Sequence, residues 1–180
     1  RGVEGIETRM VGREGELKRL QDAFLLAQED GRRQMVTVVG ESGVGKTRLL
    51  YELEGWLEQI PQPIRYFRGR AGPELQNVPY ALLRDLFVLR FDIQDSDPAR
   101  VVHDKLERGL GEWLGTDEQG QMKAHVIGQL LGFDFTTSPH LAGVLEDARQ
   151  LRDRALIYLD ELFRASAARA TVGVLVAVIQ

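Results

Sequence analysis

A parallel α/β sheet with a phosphate-cradling loop behind its first strand is the fold class that three features of the chain predict. Gly40-Glu41-Ser42-Gly43-Val44-Gly45-Lys46-Thr47 satisfies every fixed position of the pattern G-x-x-x-x-G-K-[ST]. The run before it, Met35-Val36-Thr37-Val38-Val39, is β-branched and uncharged, as a strand buried on both faces of a parallel sheet is. After it, Leu49, Leu50, Leu53, Trp56, Leu57 and Ile60 recur at helical spacing, so Lys46 to Ile60 reads as an amphipathic helix closed by Pro61.

The chemistry of that loop follows from its backbone. Glycines at positions 40, 43 and 45 permit the positive φ angles and close approach that turn N–H groups inward, and the new helix adds the positive end of its dipole. Glu41, Ser42 and Val44 contribute backbone to the same cradle. Lys46 is placed to reach the β- and γ-phosphates of a nucleoside triphosphate and is the candidate catalytic residue. The Thr47 hydroxyl is the candidate ligand for an octahedral Mg²⁺ on the same phosphates. Arg48, next in the helix, completes the nucleotide-binding set.

Further elements follow in order. Pro63 to Gly69 is a second parallel-strand candidate, and Pro79 opens a helix bearing Leu82, Leu83, Leu86 and Phe87. Asp97-Pro98 reads as the N-cap and first residue of a helix carrying Val101, Val102, Leu106, Leu110, Trp113 and Leu114, ended by Gly115. Thr116 with Gln119 resembles a capping box for a helix through Val126, Ile127, Leu130 and Leu131, stopped by Gly132. A long helix from about Leu145 to Ala168 precedes a second buried-type strand, Val172 to Ile179. The predicted fold is therefore a P-loop NTPase whose helix-flanked parallel sheet is truncated after a third strand, with a helix-rich insertion over about 74–170. Residues 10–180 read as the N-terminal part of the nucleotide-binding domain.

Composition bounds the rest. With 180 residues, 43% hydrophobic and 28% charged, the chain is an ordinary soluble globular sequence with a real core. It has no cysteine, which excludes disulfides, thiolate metal sites and cysteine nucleophiles, and makes the cytoplasm the default compartment. The apolar run Val172 to Ile179 is too short to span a bilayer, and no leader opens the chain. A net charge of −4 with scattered basic residues argues against a nucleic-acid surface. His103, His125 and His140 lack metal-ligand spacing and read as surface or helix-face residues, while Trp56 and Trp113 fall on apolar helical faces. Arg68 and Arg70, at the end of a strand candidate, read as solvated loop arginines.

Leu156-Ile157-Tyr158-Leu159-Asp160-Glu161 matches the apolar-strand-then-acid-pair pattern that holds Mg²⁺ and polarises water. However, Leu151, Ala155, Leu159, Leu162, Phe163 and Ser166 share one helical face and no turn residue interrupts Arg152 to Ala168, so helix is the better reading.

Met10-Val11-Gly12-Arg13-Glu14-Gly15-Glu16-Leu17, upstream of the loop and followed by Leu20 and Phe24, resembles the adenine-side motif of the STAND and related AAA-type signalling ATPases. Arg68-Gly69-Arg70 leading to Val78-Pro79-Tyr80, and the late helix running into a Val/Leu strand, resemble the ATPase module that follows class III adenylate/guanylate cyclase domains in bacterial regulators, and the resemblance implies that residues 1–9 are a linker from such a preceding domain. The resemblance implies that Val11 and Gly12 lie against adenine and that Arg13 supports the base pocket or the phosphates. It implies ATP or ADP with Mg²⁺ as cofactors, and neighbouring domains of the same polypeptide as partners, cyclase-like before and helical or repeat domains after. In that family a further strand separates the phosphate-loop strand from the strand bearing the acidic pair. Val172 to Ile179 is then expected to pair with Ile64 to Phe67, leaving Met35 to Val39 unpaired and the exposed edges prone to self-association. The acidic pair itself is expected after Gln180. The function implied is an ATP-binding, and in the intact protein ATP-hydrolysing, regulatory switch. A non-hydrolysing nucleotide-bound scaffold and another P-loop phosphotransferase are the alternatives, a GTPase being disfavoured by the lack of an N-K-x-D motif.

Overall fold

The structure is a computed structural model that describes residues 10–31, 34–41, 43–72, 75, 77–143 and 146–169, with backbone alone for 171–178. The linker assigned to 1–9 lies outside these residues. The chain divides into two compact units, residues 1–62 and 63–180.

In the first unit, α1 (Glu14–Asp30) and α2 (Lys46–Leu57) are the regular elements. Leu49, Leu53 and Leu57 form the buried stripe of α2 at the four-residue spacing a helix requires. The edge of Phe24 packs on Trp56 with ring centroids 5.8 Å apart. The expected strand at Met35 to Val39 does not form: Met35 is 92% and Val39 87% exposed, with no strand geometry between them. A β-branched run has no intrinsic hold on the strand conformation, since ladder partners and covered faces supply it.

In the second unit, β1 (Ile64–Ala71) pairs in parallel with β2 (Thr171–Val178), Ile64 opposite Thr171 through Ala71 opposite Val178. The pairing agrees with the order implied by the sequence, but only two strands form a sheet among the described residues, not three. Ile179 lies outside the described residues. A parallel pair needs a long crossover, and here it consists of α3 (Ala81–Arg90), α4 (Ala99–Leu114), α5 (Glu118–Leu130), a single 3-10 turn at Pro139–Leu141 and α6 (Ala148–Ala167).

The core centres on Phe67 of β1, fully buried beneath Phe87, Trp113 and Phe163, whose ring centroids lie 6.1, 6.2 and 5.4 Å away. Leu106, Leu110, Ile127, Leu141 and Leu162 extend it through the helices. Gly69 lets α3 lie close on β1, because a Cβ there would meet Leu86 Cδ2 at 2.7 Å.

The helix starts depart from the sequence reading by a residue or two. The N-cap of α4 is Pro98, not Asp97, whose carboxylate instead accepts the Gln94 N–H at 2.8 Å and the Lys105 ammonium at 2.7 Å. α5 is capped by Asp117, which accepts the Gly120 N–H at 2.9 Å, rather than by Thr116. Asp147 caps α6 through the amides of Arg149 and Gln150, and Leu145 lies outside the described residues. In each case an aspartate acceptor, better than the hydroxyl or the nearest proline pattern, fixes the local chain. Among the described residues no helix is long and apolar enough to cross a membrane.

Two predictions follow from these contacts. The α4–α5 turn brings the Gly115 carbonyl so close to α5 that a Cβ on Gly120 would meet it at 1.9 Å. Gly120→Ala is expected to destabilise the protein by at least about 1–3 kcal/mol, read from urea unfolding. Separately, the backbone N–H of Gln94 and then the Lys105 ammonium hold Asp97 below the ordinary aspartate pKa. A depressed native pKa contributes stability above the unfolded value and loses it as pH falls through the native one. The Asp97→Asn variant should therefore lose stability at neutral pH yet show a shallower decline below about pH 4, measured as the urea midpoint against pH.

Candidate functional site

The phosphate-loop motif and the upstream Val11-Gly12-Arg13 motif both fall in the first unit. Gly45 precedes α2 with φ 91°, and Gly43 has φ 81°, left-handed values that place a tight turn directly before the helix. At the other end of the loop a Cβ on Gly40 would press on Val44 Cγ2 at 3.0 Å. The Val44 N–H reaches the Glu41 carbonyl at 3.5 Å. Ser42 lies outside the described residues.

Lys46, first residue of α2, turns its ammonium back across the loop and donates to the carbonyls of Gly40 and Glu41, each at 2.8 Å. Among the described residues no carboxylate pairs with it. A cation held by two neutral acceptors, next to the N–H groups of a helix start, retains its attraction for oxyanion oxygens. Thr47 is exposed in the first turn of α2, open to a hydrated cation. The loop residues thus fit a Mg²⁺-bound polyphosphate: small glycines, a free helix start, an unneutralised lysine and an adjacent hydroxyl. Arg48 faces elsewhere, pairing with Glu52 and lying 5.3 Å from the Tyr51 ring.

Arg13 is the link that the linear motifs did not disclose. Its Nη1 pairs with Glu16 at 3.3 Å, while its Nη2 donates to the Val44 carbonyl of the loop at 3.1 Å. One side chain therefore ties two motifs thirty-one residues apart. Beside it, Gly12 has φ 80° and donates its N–H to Glu14 Oε1 at 3.2 Å, leaving Val11 82% exposed. An exposed valine next to a fixed backbone turn is an apolar surface open to a planar base.

Other candidates are distributed differently. Asp160 and Glu161 lie on α6, on its solvent side, where Asp160 accepts from Arg164 at 2.7 Å and Glu161 pairs with Lys123. They are not at the end of a strand. Arg70 sits within β1, its N–H donating to Asp85 at 2.6 Å; Arg68 is in the same strand. The three histidines, separate in sequence, gather around buried Phe135. His103 stacks on that ring at 4.0 Å, His125 lies at 4.6 Å from it, and His140 meets His125 edge-on at 5.2 Å. His125 is clamped between Glu107 at 2.8 Å and Ser138 Oγ at 2.6 Å. Among the described residues no group of histidine and carboxylate ligands could hold a metal. Only the fold brings these rings together, and their spacing in sequence carried no signal of it.

Compared with known proteins, residues 9–176 match the family model described as an AAA ATPase domain. No curated protein and no solved structure gives a match.

The Arg13 link generates a test. Arg13→Gln should leave the urea midpoint nearly unchanged, because exposed ion pairs contribute about 0–1 kcal/mol. Amide hydrogen exchange over Gly43 to Lys46 should quicken measurably by mass spectrometry once the Val44 carbonyl loses its donor.

Proposed function

The chain belongs to the AAA ATPase domain family, and on that premise we propose that it is an ATP-binding regulatory switch module of a bacterial signalling protein of the STAND type, adjoining cyclase-like and helical or repeat domains in its polypeptide. Nucleotide binding is the family's coarse property. The observation that supports the nucleotide-binding part of this reading is Lys46, its ammonium poised over Gly40 and Glu41 at 2.8 Å with no carboxylate partner among the described residues. Gly40, Glu41, Ser42, Gly43, Val44 and Gly45 would supply backbone donors to the phosphates, and Lys46 a point charge at the β- and γ-oxygens. Thr47 would contribute its hydroxyl to Mg²⁺, and Arg48 would stiffen the helix start through Glu52. Bound Mg²⁺ supplies charge neutralisation of the phosphates. Val11 and Gly12 would face the base, with Arg13 holding that segment against the loop.

In such a switch the nucleotide favours one arrangement of the module against its neighbours, by as much as its differential affinity for the two arrangements. Cytoplasmic residence and association through unpaired strand edges belong to the same proposal.

A second reading, a nucleotide-bound scaffold, is favoured by one observation. Asp160 and Glu161, the acid pair that follows an apolar run, lie on a helix and are spent on Arg164 and Lys123. Neither is placed to hold a metal or a water at a strand end.

Isothermal titration of residues 1–180 should give MgATP or MgADP binding in preference to GTP. Lys46→Ala should weaken it roughly ten- to a hundredfold, since each charge-assisted contact contributes about 1.5–3 kcal/mol. Equal affinity for GTP, or no loss with Lys46→Ala, would overturn the reading. Phosphate release by the same 180 residues is expected near background, and the double change Asp160→Ala, Glu161→Ala should leave nucleotide affinity and the circular dichroism spectrum intact. Robust hydrolysis abolished by Glu161→Gln would return that residue to the chemistry.

A further inference from the structure

Around Trp113 the second unit brings together two arginines and the indole N–H, and two of these donor atoms have no acceptor among the described residues. Arg65, second residue of β1, places its guanidinium carbon 5.4 Å from the Trp113 ring, and its Nη1 is buried without a partner among the described residues. Arg90, last residue of α3, places its guanidinium carbon 5.9 Å from the same ring and 5.9 Å from Phe67. Trp113 is 7% exposed, and among the described residues its indole Nε1 is also buried without a partner. Among the described residues no carboxylate pairs with either arginine.

Part of this arrangement has a structural explanation. A guanidinium over an indole face is attracted by the ring quadrupole, and a cation in the last turn of α3 suits the negative end of that helix. Those effects account for Arg90. They leave two buried N–H groups, one on a charged side chain, without an acceptor among the described residues, a condition rare in folded proteins that calls for a partner or a role. They also hold two like charges against one ring. Bringing an oxyanion to them relieves both conditions at once, because the guanidinium fork and the indole N–H can only donate.

We propose that Arg65, Arg90 and Trp113 form an oxyanion site, separate from the phosphate loop, that takes a phosphoryl or carboxylate group. Arg65 stands at the amino end of β1, opposite the carboxyl end at which open α/β sheets carry their ligands. Arg90 is exposed at the end of α3, while Trp113 forms the buried wall. The planar fork of Arg65 supplies orientation, Arg90 supplies charge, and the indole N–H selects an acceptor over a neutral apolar group.

Trp113 is its own reporter, because the chain has only two tryptophans. In a Trp56→Phe background, tryptophan emission is followed while inorganic phosphate or succinate is added at constant ionic strength set by chloride. A saturable change with either anion is expected, at least tenfold weaker in Arg90→Gln and in Arg65→Gln, and retained in Lys46→Ala. Saturation with phosphate alone assigns a phosphoryl ligand; with succinate alone, a carboxylate. No saturable change with either anion, an equal change with chloride, or full retention in the arginine variants would overturn the site. So would loss of the response in Lys46→Ala, which would place the anion at the phosphate loop and leave the nucleotide reading standing. Should Arg65→Gln fail to fold by circular dichroism, Arg90→Gln, at an exposed position, decides the outcome.

Discussion

Parallel pairing of β1 with β2 is the constraint on which the second unit depends. Two strands running the same way cannot be joined by a tight turn, so the chain must travel back along the sheet before the second strand begins. Here it does so through four helices and a 3-10 turn, and Phe67 is the point where that route closes. Its ring touches aromatic residues from α3, α4 and α6, so the strand pair and the helical crossover share one core. Glycine at 69 admits α3 to the sheet, and aspartates at 117 and 147 fix where α5 and α6 begin.

The phosphate loop obeys a different logic. It is held by short-range geometry: two glycines in left-handed conformation, a helix that starts at Lys46, and a lysine folded onto the carbonyls of Gly40 and Glu41. None of these needs a completed sheet. That is why these features form although Met35 to Val39, immediately before them, has no strand geometry. Arg13 adds a long-range tie, and being half-exposed it positions the loop more than it stabilises the fold.

The basic side chains differ in what they meet. Arg164, Lys123 and Lys105 each meet a carboxylate, and such pairs account for themselves. Lys46, Arg65 and Arg90 do not among the described residues. Lys46 is met by neutral carbonyls and the arginines by an indole ring, environments that leave a cation able to take an anion.

Much of this was legible in the residues. The loop pattern, the helical periods of α2, α4 and α6, the assignment of Asp160 and Glu161 to a helix face, and the pairing partner of the last strand all follow from local pattern or from the family resemblance. Strand formation at Met35 to Val39 was not legible, because an apolar β-branched run specifies burial and leaves the partner unspecified. Capping by Asp117 in place of Thr116 turned on which neighbouring acceptor the chain could aim at an amide. The sequence by itself determined the loop chemistry and the helical crossover, since both rest on conformational preferences within a few residues. Only the tertiary structure decided that Arg13 reaches Val44, that His103 and His125 pack on Phe135, and that Arg65 and Arg90 converge on Trp113, because contacts between distant residues depend on packing that no local period encodes.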